Sequence, residues 1–515
     1  MKHMKVKKVS PFEVYLSHLP EEDQFKLTAY FLELSKRIVL PPSEKRKIIA
    51  DFEQVIPYYL DRGIPVDIAL QRIDLANLGG FYARPAHRWF ALDYAAKIYP
   101  LSLAHGQISL FRLSVYLKAP VQPEILQIAL TFTIKRFPQF ATTLKKGFFW
   151  HYLDSTKNHY PVMEEVERPL SPIRVSLSGS KTFKVLYYQN RISVEIFHAL
   201  TDGSGGLVFL KTLVHEYFRL LGLDADYDET TFAINCAPDS AEDNNEFAQA
   251  PKGPASGFIN KKSLQLSGAL SRTKPCQIIH FKMDLSRLKA VAKTYQTTIT
   301  GYITAQMLVA DKYAIEAGNG DVTIQVPVNM RKFYPSKTIR NYSMYFGVRL
   351  PLKQITSTAD IIPFVHQQLV TNSSPEKMTE MLYSTKQMVR KLRFIPLFIK
   401  TPIAKQIYGI IGEGSYTNTL SNLGVVTFPE ALNDHIESLD FILGTAVVNR
   451  ANVSVITFKN TLTLSIAKNT TDNAFEERLL ALFNNDEIPL TIEGSDVYEN
   501  AQYVPTSEKT KNRQK

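Results

Sequence analysis

An aperiodic stretch over residues 224–271 divides the chain into two parts, and this division constrains the fold most strongly. The stretch is acidic and rich in Asn, Pro and Ala, which predicts a connection without regular structure. The whole chain of 515 residues also exceeds the size at which one hydrophobic core stops growing, roughly 250–300 residues. We therefore expect two folded lobes joined by a crossover over residues 224–275.

Strand-like and helix-like patterns alternate on both sides of this crossover. The first part predicts strands over residues 107–118, 147–153, 183–188 and 191–197, with helices over 123–134 and 205–221. The second part predicts helices from residues 285 and 300 and strands over 278–283, 322–327, 344–350, 416–421, 436–443, 453–459 and 462–467. Mixed strands and helices in both parts predict two α+β lobes, over residues 86–223 and 276–497.

The two ends of the chain differ from these lobes. Residues 1–85 show only helical periodicity, with three stripes separated at Pro41-Pro42 and before Pro65, the last ending at Gly79-Gly80. They predict an N-terminal helical extension that covers a tunnel, binds a partner or packs on the first lobe. The polar, lysine-rich residues 498–515 predict a disordered tail.

Composition and charge narrow the function classes. Hydrophobic residues make up 45% of the chain and charged residues 21%, as in ordinary folded proteins. The net charge of +11 is dispersed, and no zinc finger, Walker loop or RNA-binding aromatic motif accompanies it, so we expect no nucleic-acid partner. Cys236 and Cys276 have no disulfide or metal-ligand spacing, so we expect no metal and a reducing compartment.

Two segments bear on membranes and location. The basic N-terminus is not followed by the apolar core of a signal peptide, so we expect a cytoplasmic protein. The most apolar stretch, residues 394–412, is broken by Lys400, Pro402 and Lys405, so we expect no transmembrane helix. Its amphipathic character leaves two readings open: a helix pair that covers an apolar channel, or a face that contacts lipid or a hydrophobic substrate.

The candidate catalytic residue is His198, in His198-Ala199-Leu200-Thr201-Asp202-Gly203. It follows an apolar strand, and a Gly-rich run leads directly into the next helix, so the imidazole is held at a strand end where Asp202 can brace the loop. A neutral imidazole can take the proton from a hydroxyl or amine that attacks a thioester, without a metal or a covalent enzyme intermediate. By spacing alone, such a histidine is more often a satisfied core residue.

The segment 197–203 resembles the HxxxDG signature of the condensation-domain and chloramphenicol acetyltransferase superfamily. Ile324-Gln325-Val326-Pro327-Val328-Asn329-Met330-Arg331, followed by Asn341, resembles the second-lobe strand and loop of bacterial alcohol acetyltransferase-like members. Ser421-Asn422-Leu423-Gly424 resembles a segment of wax ester synthases. These three ordered matches span residues 89–483.

The resemblance implies two chloramphenicol acetyltransferase-like lobes that meet along a tunnel, with acyl-CoA as co-substrate, a hydroxyl acceptor and no bound cofactor. His198 is then the general base, and Asp202, beside Gly203, is a structural anchor paired with an arginine. Arg331 is favoured over Arg112 for that pair. Asn422 and Ser421 are candidates for stabilising the oxyanion or lining the tunnel, although a structural role for Asn422 is equally consistent with the sequence.

Several alternatives stay open at this point. Phe197 replaces the first histidine of the doubled form, and no Asp-Phe-Gly-Trp-Gly segment is present, which disfavours peptide condensation and the plant subgroup. The donor could be a carrier-protein thioester instead of acyl-CoA, and a non-catalytic member that binds a thioester or a partner is the rival outside enzymes. The remaining histidines receive no role: His215 is interpreted as a helix-surface residue and His105 as a loop residue near the cleft. Peripheral contact with a membrane is compatible with the sequence.

Overall fold

The structure is a computed structural model that describes residues 10–78, 89–102, 109–155, 158–171, 180–254, 261–316, 318–407, 413–446 and 448–498. Gly79-Gly80, His105 and the tail beyond Tyr498 lie outside the described residues. The described part is an α+β structure with two lobes, each built on a sheet flanked by helices, as the sequence predicts.

The N-terminal residues form helices that pack on the first lobe. The helices are α1 (Pro11–Leu16), α2 (Glu21–Arg37), α3 (Pro42–Leu60) and α4 (Val66–Arg72). Their buried apolar side chains belong to the same core as those of the first lobe. The Phe52 ring lies 6.0 Å from the Phe132 ring, and the Tyr59 hydroxyl donates to the carbonyl of Leu220 at 2.9 Å. Among the three readings of this extension, the contacts show packing on the first lobe.

The first lobe contains a five-stranded and a four-stranded sheet. Its elements are β1 (Trp89–Ala91), α5 (Tyr99–Ser102), β2 (Leu110–Leu117), α6 (Pro123–Arg136), β3 (Thr142–Lys146), β4 (His151–Ser155), β5 (Val162–Glu164), β6 (Ser180–Lys181), β7 (Phe183–Tyr188), β8 (Arg191–Phe197) and α7 (Gly203–Leu221). The smaller sheet has the order β1-β4-β3-β6. Strands β2 and β8 are antiparallel neighbours in the larger sheet, and almost all of their side chains are buried.

The second lobe surrounds a seven-stranded sheet. Its elements are β9 (Gln277–Asp284), α8 (Leu285–Thr294), α9 (Ile299–Ala314), β10 (Asp321–Asn329), β11 (Ser343–Pro351), α10 (Thr358–Asn372), α11 (Pro375–Lys391), α12 (Leu397–Ile407), β12 (Asn418–Val426), α13 (Glu430–Asn433), β13 (Ile436–Leu443), β14 (Ala451–Phe458), β15 (Thr461–Lys468), α14 (Ala474–Asn485) and β16 (Leu490–Gly494). The sheet has the order β11-β10-β12-β14-β15-β9-β16, with β12 parallel to both neighbours. Helix α9 is almost entirely buried and forms the centre of this lobe's core.

One strand from the second half of the sequence belongs to the first lobe. Strand β13 pairs antiparallel with β2, so the five-stranded sheet has the order β13-β2-β8-β7-β5. The sequence boundary at residue 276 places this strand in the second lobe, whereas its backbone pairing is with β2 of the first lobe. Alternating apolar residues identify a strand but not its partner, since any open sheet edge satisfies the pattern.

The crossover contains two short 3-10 turns, Ser240–Asp243 and Glu246–Gln249, and contacts both lobes. Glu242 pairs with Arg136 of α6 through two hydrogen bonds of 2.6 Å, and both side chains are buried. The backbone carbonyl of Glu242 accepts from the Ile339 N–H at 2.9 Å. The connection therefore ties the lobes together.

Two details of the predicted elements are wrong. The strand expected over residues 147–153 begins only at His151, because residues 147–150 form the turn between β3 and β4, with the Gly147 N–H donating to the Trp150 carbonyl at 3.1 Å. The apolar side chains of Phe148 and Phe149 gave this turn the appearance of a strand. His215 is buried, not on the helix surface: its Nε2 lies 2.9 Å from the Ala225 carbonyl, and its ring stacks on Tyr227. The start of the crossover covers that face of α7.

Among the described residues, no helix is long and apolar enough to cross a membrane.

Candidate active site

His198 directly follows strand β8 and lies at the end of the five-stranded sheet. Its backbone N–H donates to the Ser109 carbonyl at 2.8 Å, which fixes the main chain beside the start of β2. Its ring stacks on Tyr99 with 4.3 Å between ring centroids, and it meets Phe111 edge to face with 5.3 Å between centroids. The imidazole is therefore held between two aromatic rings in one orientation.

Two polar side chains determine which nitrogen of His198 carries the proton. His198 Nδ1 lies 2.9 Å from Asn341 Oδ1, and Asn341 Nδ2 donates to Asp93 Oδ2 at 3.2 Å. Because the Asp93 carboxylate accepts hydrogen bonds, including one of 2.7 Å from the Ala96 N–H, the amide of Asn341 turns its nitrogen toward Asp93 and its oxygen toward His198. An amide oxygen only accepts, so Nδ1 of the neutral imidazole carries the proton. Nε2 is then the basic nitrogen.

Burial favours the neutral form of His198. It lowers the pKa of the imidazole below the ordinary value of 6.5, and the negative charge of Asp202 opposes that shift without reversing it. Burial raises the pKa of the Asp93 carboxyl, and the positive charge of the neighbouring Arg340 guanidinium acts against that rise. A base must be unprotonated to accept a proton, so a lowered pKa suits general-base chemistry at neutral pH.

The Asp202 carboxylate braces the loop that follows His198. It is the N-cap of α7, and its Oδ1 accepts from the Gly205 N–H at 3.0 Å. Its Oδ2 accepts from Arg331 Nη1 and from the Tyr342 N–H, both at 2.8 Å. Both carboxylate oxygens are thus used in structural bonds.

Arg331 extends that brace into the segment that carries Asn341. Its guanidinium donates to the carbonyls of Thr338 at 2.9 Å and Arg340 at 2.6 Å. Arg112, the alternative partner of Asp202, instead forms a buried cluster with Glu165, at 2.6 and 2.7 Å, and with Glu195, at 3.3 Å. The Asp202–Arg331 pair therefore joins the two lobes and fixes the position of Asn341 over His198.

The glycine run that begins with Gly203 lets the second lobe approach the loop closely. A Cβ on Gly205 would overlap the backbone carbonyl oxygen of Ile339 and the hydroxyl of Thr201. The backbone carbonyl cannot swing away as a flexible side chain could. Any larger residue at this position would push residues 338–342 away from His198.

A cavity of about 630 Å³ lies between the lobes and contains the site. Its walls include His198, Tyr99, Phe111, Thr300, Ser421 and Asn422. This volume is within the range of pockets for small ligands, roughly 300–1,000 Å³. The structure thus brings His198, Ser421 and Asn422 together at one cavity, as expected for a tunnel between lobes.

Asn422 has a structural task at this cavity. Its Nδ2 donates to Thr300 Oγ1 at 3.1 Å, and its Oδ1 accepts from the Gly424 N–H at 2.8 Å. These bonds span the irregularity in the pairing of β12 with β14, between Asn422 and Val425. The roles of Asn422 and Ser421 in stabilising an oxyanion stay predictions.

Sequence reasoning missed the functional contacts of Asp93, Tyr99 and Asn341. Asn341 was recognised only as part of a segment pattern, and Asp93 and Tyr99 belong to no motif. Asp93 lies 248 positions before Asn341, and the contact of His198 with Asn341 spans 143 positions. Local spacing cannot reveal such partners. Within the described ranges, no group of three or more His, Cys, Asp and Glu side chains is arranged to hold a metal ion.

The chain has the two-lobed fold of the condensation-domain and chloramphenicol acetyltransferase-like superfamily. No protein-family model and no curated protein matches its sequence.

Similar solved structures include the TRI101 protein of F. sporotrichioides complexed with coenzyme A and T-2, with a TM-score of 0.56, 11% identity and coverage of 78% of this chain and 99% of that one. The polyketide synthase associated protein 5 of Mycobacterium tuberculosis has a TM-score of 0.52 and 12% identity, covering 77% and 96%. The first condensation domain of the calcium-dependent antibiotic synthetase has a TM-score of 0.52 and 13% identity, covering 78% and 99%. At these identities the likeness establishes the fold alone.

Proposed function

We propose that this protein is an acyl-CoA-dependent O-acyltransferase in which His198 is the general base. The observation that carries the proposal is the hydrogen-bond network Asp93–Asn341–His198, which leaves Nε2 as the basic nitrogen of an imidazole that lines the inter-lobe cavity. Similar folds have been solved with coenzyme A bound, as in the TRI101 complexes, which supports a thioester as donor.

The reaction needs only proton movement at His198. The acceptor hydroxyl oxygen attacks the thioester carbonyl carbon while Nε2 takes the hydroxyl proton. The resulting tetrahedral intermediate collapses, the carbon–sulfur bond breaks, and the imidazolium returns the proton to the leaving sulfur. The products are an ester and free coenzyme A thiol, and the enzyme is unchanged. Stacking of Tyr99 on the ring keeps Nε2 in place through both proton transfers.

The test compares the wild-type protein with His198→Ala. Purified protein is incubated with acetyl-CoA and longer acyl-CoAs, with and without a panel of alcohols, and release of free thiol is followed. We expect alcohol-dependent release that falls about 10²- to 10⁴-fold in His198→Ala, the usual contribution of a general base. The variant should keep its fold, because the Asp202–Arg331 ion pair still joins the two lobes beside the site.

Three outcomes would redirect the proposal. Full activity of a folded His198→Ala protein would eliminate the mechanism. Release from a carrier-protein thioester but not from acyl-CoA would identify the carrier-dependent alternative, and silence with every donor would favour a non-catalytic binding role. The cytoplasmic location stays a prediction.

A further inference from the structure

An exposed apolar surface joins the two lobes on the outside of the molecule. It consists of Phe148, Phe149, Phe394, Phe398, Ile399 and Ile403, which we call the aromatic patch. Three of its phenylalanines, Phe148, Phe394 and Phe398, expose 66%, 71% and 71% of their surface. Single exposed apolar residues are common, but a contiguous group of this kind marks an interaction surface.

The aromatic patch is a fixed structure that two elements build together. The Phe148 and Phe149 rings, in the turn between β3 and β4, are 4.8 Å apart, and Phe149 lies 6.3 Å from Phe394. The Phe148 carbonyl accepts from the Leu397 N–H at 2.8 Å, and the Phe149 carbonyl accepts from Lys400 Nζ at 2.7 Å. These bonds join the turn of the first lobe to α12 of the second.

The described side chains of α12, those of residues 397–403, depart from the pattern expected of a helix in water. It buries Lys400, whose ammonium lies 3.3 Å from the centre of the Trp150 ring, and it exposes Phe398, Ile399 and Ile403. A surface helix in water normally buries its apolar stripe and exposes its charges. A buried lysine and exposed apolar side chains indicate that the outer surface of α12 faces an apolar environment.

The surroundings of the aromatic patch are positively charged. Residues 381–412 contain no Asp or Glu, and their six basic residues are Lys386, Arg390, Lys391, Arg393, Lys400 and Lys405. Of the basic residues on either side of the patch, Lys146, Arg390, Lys391 and Arg393 are exposed. Anionic lipid surfaces bind proteins that combine exposed aromatic rings, which enter the headgroup region, with basic side chains, which contact the lipid phosphates.

We propose that the aromatic patch is a docking surface for an anionic membrane, with its apolar side chains at the boundary of headgroups and acyl chains and the flanking cations over the lipid phosphates. Helix α12 also packs against α5, whose Tyr99 stacks on His198. The docking surface is therefore connected to the candidate base through α12, α5 and the Tyr99 ring. Membrane docking is independent of the proposed acyl transfer.

The test measures co-sedimentation of the full chain with vesicles, without any acyl donor. The vesicles are neutral phosphatidylcholine, or phosphatidylcholine with about 30% phosphatidylglycerol, a content we choose to supply the anionic surface that attracts nearby basic residues. We expect tighter binding to the anionic vesicles, with the difference removed by high salt. Phe394→Ser and Phe398→Ser should each weaken binding about tenfold, since burying one phenylalanine is worth about one decade in a partition constant.

A matched control distinguishes loss of the aromatic patch from loss of any exposed apolar side chain. Phe25 on α2 is 77% exposed and lies outside the aromatic patch, so Phe25→Ser should bind as the wild type does. Circular dichroism and thermal unfolding establish that each variant is folded. Arg393→Glu should weaken binding to anionic vesicles only.

Three results would overturn the proposal. These are absence of binding to both vesicle types, equal loss in Phe25→Ser and Phe398→Ser, and binding that is the same for neutral and anionic lipid at low salt. A dimer that Phe398→Ser dissociates, with no vesicle binding, would assign the aromatic patch to self-association. An acidic protein captured in place of vesicles would assign it to a protein partner.

Discussion

The proton on His198 is positioned by two side chains that come from separate segments of the chain. Asp93 orients the Asn341 amide, and the amide oxygen holds Nδ1–H of His198 at 2.9 Å. Neither neighbour accepts a proton during the reaction that we propose. They act by keeping one tautomer and one ring orientation, which is the task that orienting groups have in other base-catalysed sites.

The acid limb of the pH–rate profile should lie below pH 6.5. Burial lowers the pKa of His198 because it destabilises the charged imidazolium, so the neutral, basic form persists to lower pH than in a solvent-exposed histidine. We expect kcat/KM for acyl transfer to be flat around neutral pH and to fall only below the lowered pKa. Initial rates across pH 4.5–8 measure the limb, and a midpoint above 6.5 would contradict the effect of burial.

Replacing Asn341 should impair turnover more than donor binding. Asn341→Leu leaves the Nδ1–H of His198 without its acceptor, so the imidazole ring is no longer held in one orientation. Displacement of a reacting group by about 1 Å can lower the rate about 10²-fold. We expect kcat to fall about 10- to 100-fold with little change in KM for the acyl donor. Steady-state kinetics with a folded variant make the comparison. An unchanged kcat would show that Tyr99 and Phe111 alone hold the ring.

At the scale of residues, the sequence predicts the loop that carries His198 and Asp202, but not the side chains that contact it. His198 and Asp202 stand out because a strand, a motif and a glycine run coincide within ten residues. Asn341 and Asp93 act through contacts made only when the lobes close on each other. The prediction for His215 is wrong for a related reason. Helical spacing identifies the faces of α7, but the crossover residues that bury His215 show no periodic pattern that would predict this contact.

At the scale of elements, the N-terminus of α7 depends on one side chain with two functions. Asp202 caps the helix through the Gly205 N–H, and it forms an ion pair with Arg331 of which both members are largely buried. An asparagine can keep the cap but not the charge, and an alanine keeps neither.

These two functions predict different losses of stability. Asp202→Asn should lower the free energy of unfolding by about 3 kcal/mol, because it leaves the buried Arg331 guanidinium without its counter-charge. Asp202→Ala should lose about 1 kcal/mol more through the missing cap. Urea unfolding measures both. Asp239→Ala is the control: it removes the cap of an exposed 3-10 turn but no buried ion pair, so it should lose no more than about 1 kcal/mol. Equal losses for Asn and Ala would contradict a separate capping contribution.

The position of β13 shows which features of the elements could be predicted. Most strands were expected near their observed bounds, because alternation of buried and exposed residues is a local property. Pairing is not local: β13 pairs with β2, more than 300 positions earlier. No residue pattern within either strand encodes that choice.

At the scale of the whole molecule, the lobes share parts that make separate folding costly. The first lobe's sheet is incomplete without β13, and removal of that strand would expose the backbone of β2 as an open edge. The crossover residue Glu242 contacts both lobes, and the Asp202–Arg331 pair crosses between them at the site. The cavity, and the ordered position of His198 within it, therefore form only when both lobes are folded.

The two lobes should accordingly unfold in one transition, and the tryptophans make this testable. The chain has two tryptophans, Trp89 and Trp150, and both lie in or next to the small sheet of the first lobe. Tryptophan fluorescence therefore reports the first lobe and, through Trp150 against Lys400, its contact with α12. Far-ultraviolet circular dichroism reports the helices and strands of both lobes. We expect the two signals to change with the same midpoint in urea, because loss of either lobe removes strand β13 or its partner. If fluorescence completes its change while half of the dichroism remains, the lobes unfold independently and the shared strand does not couple them.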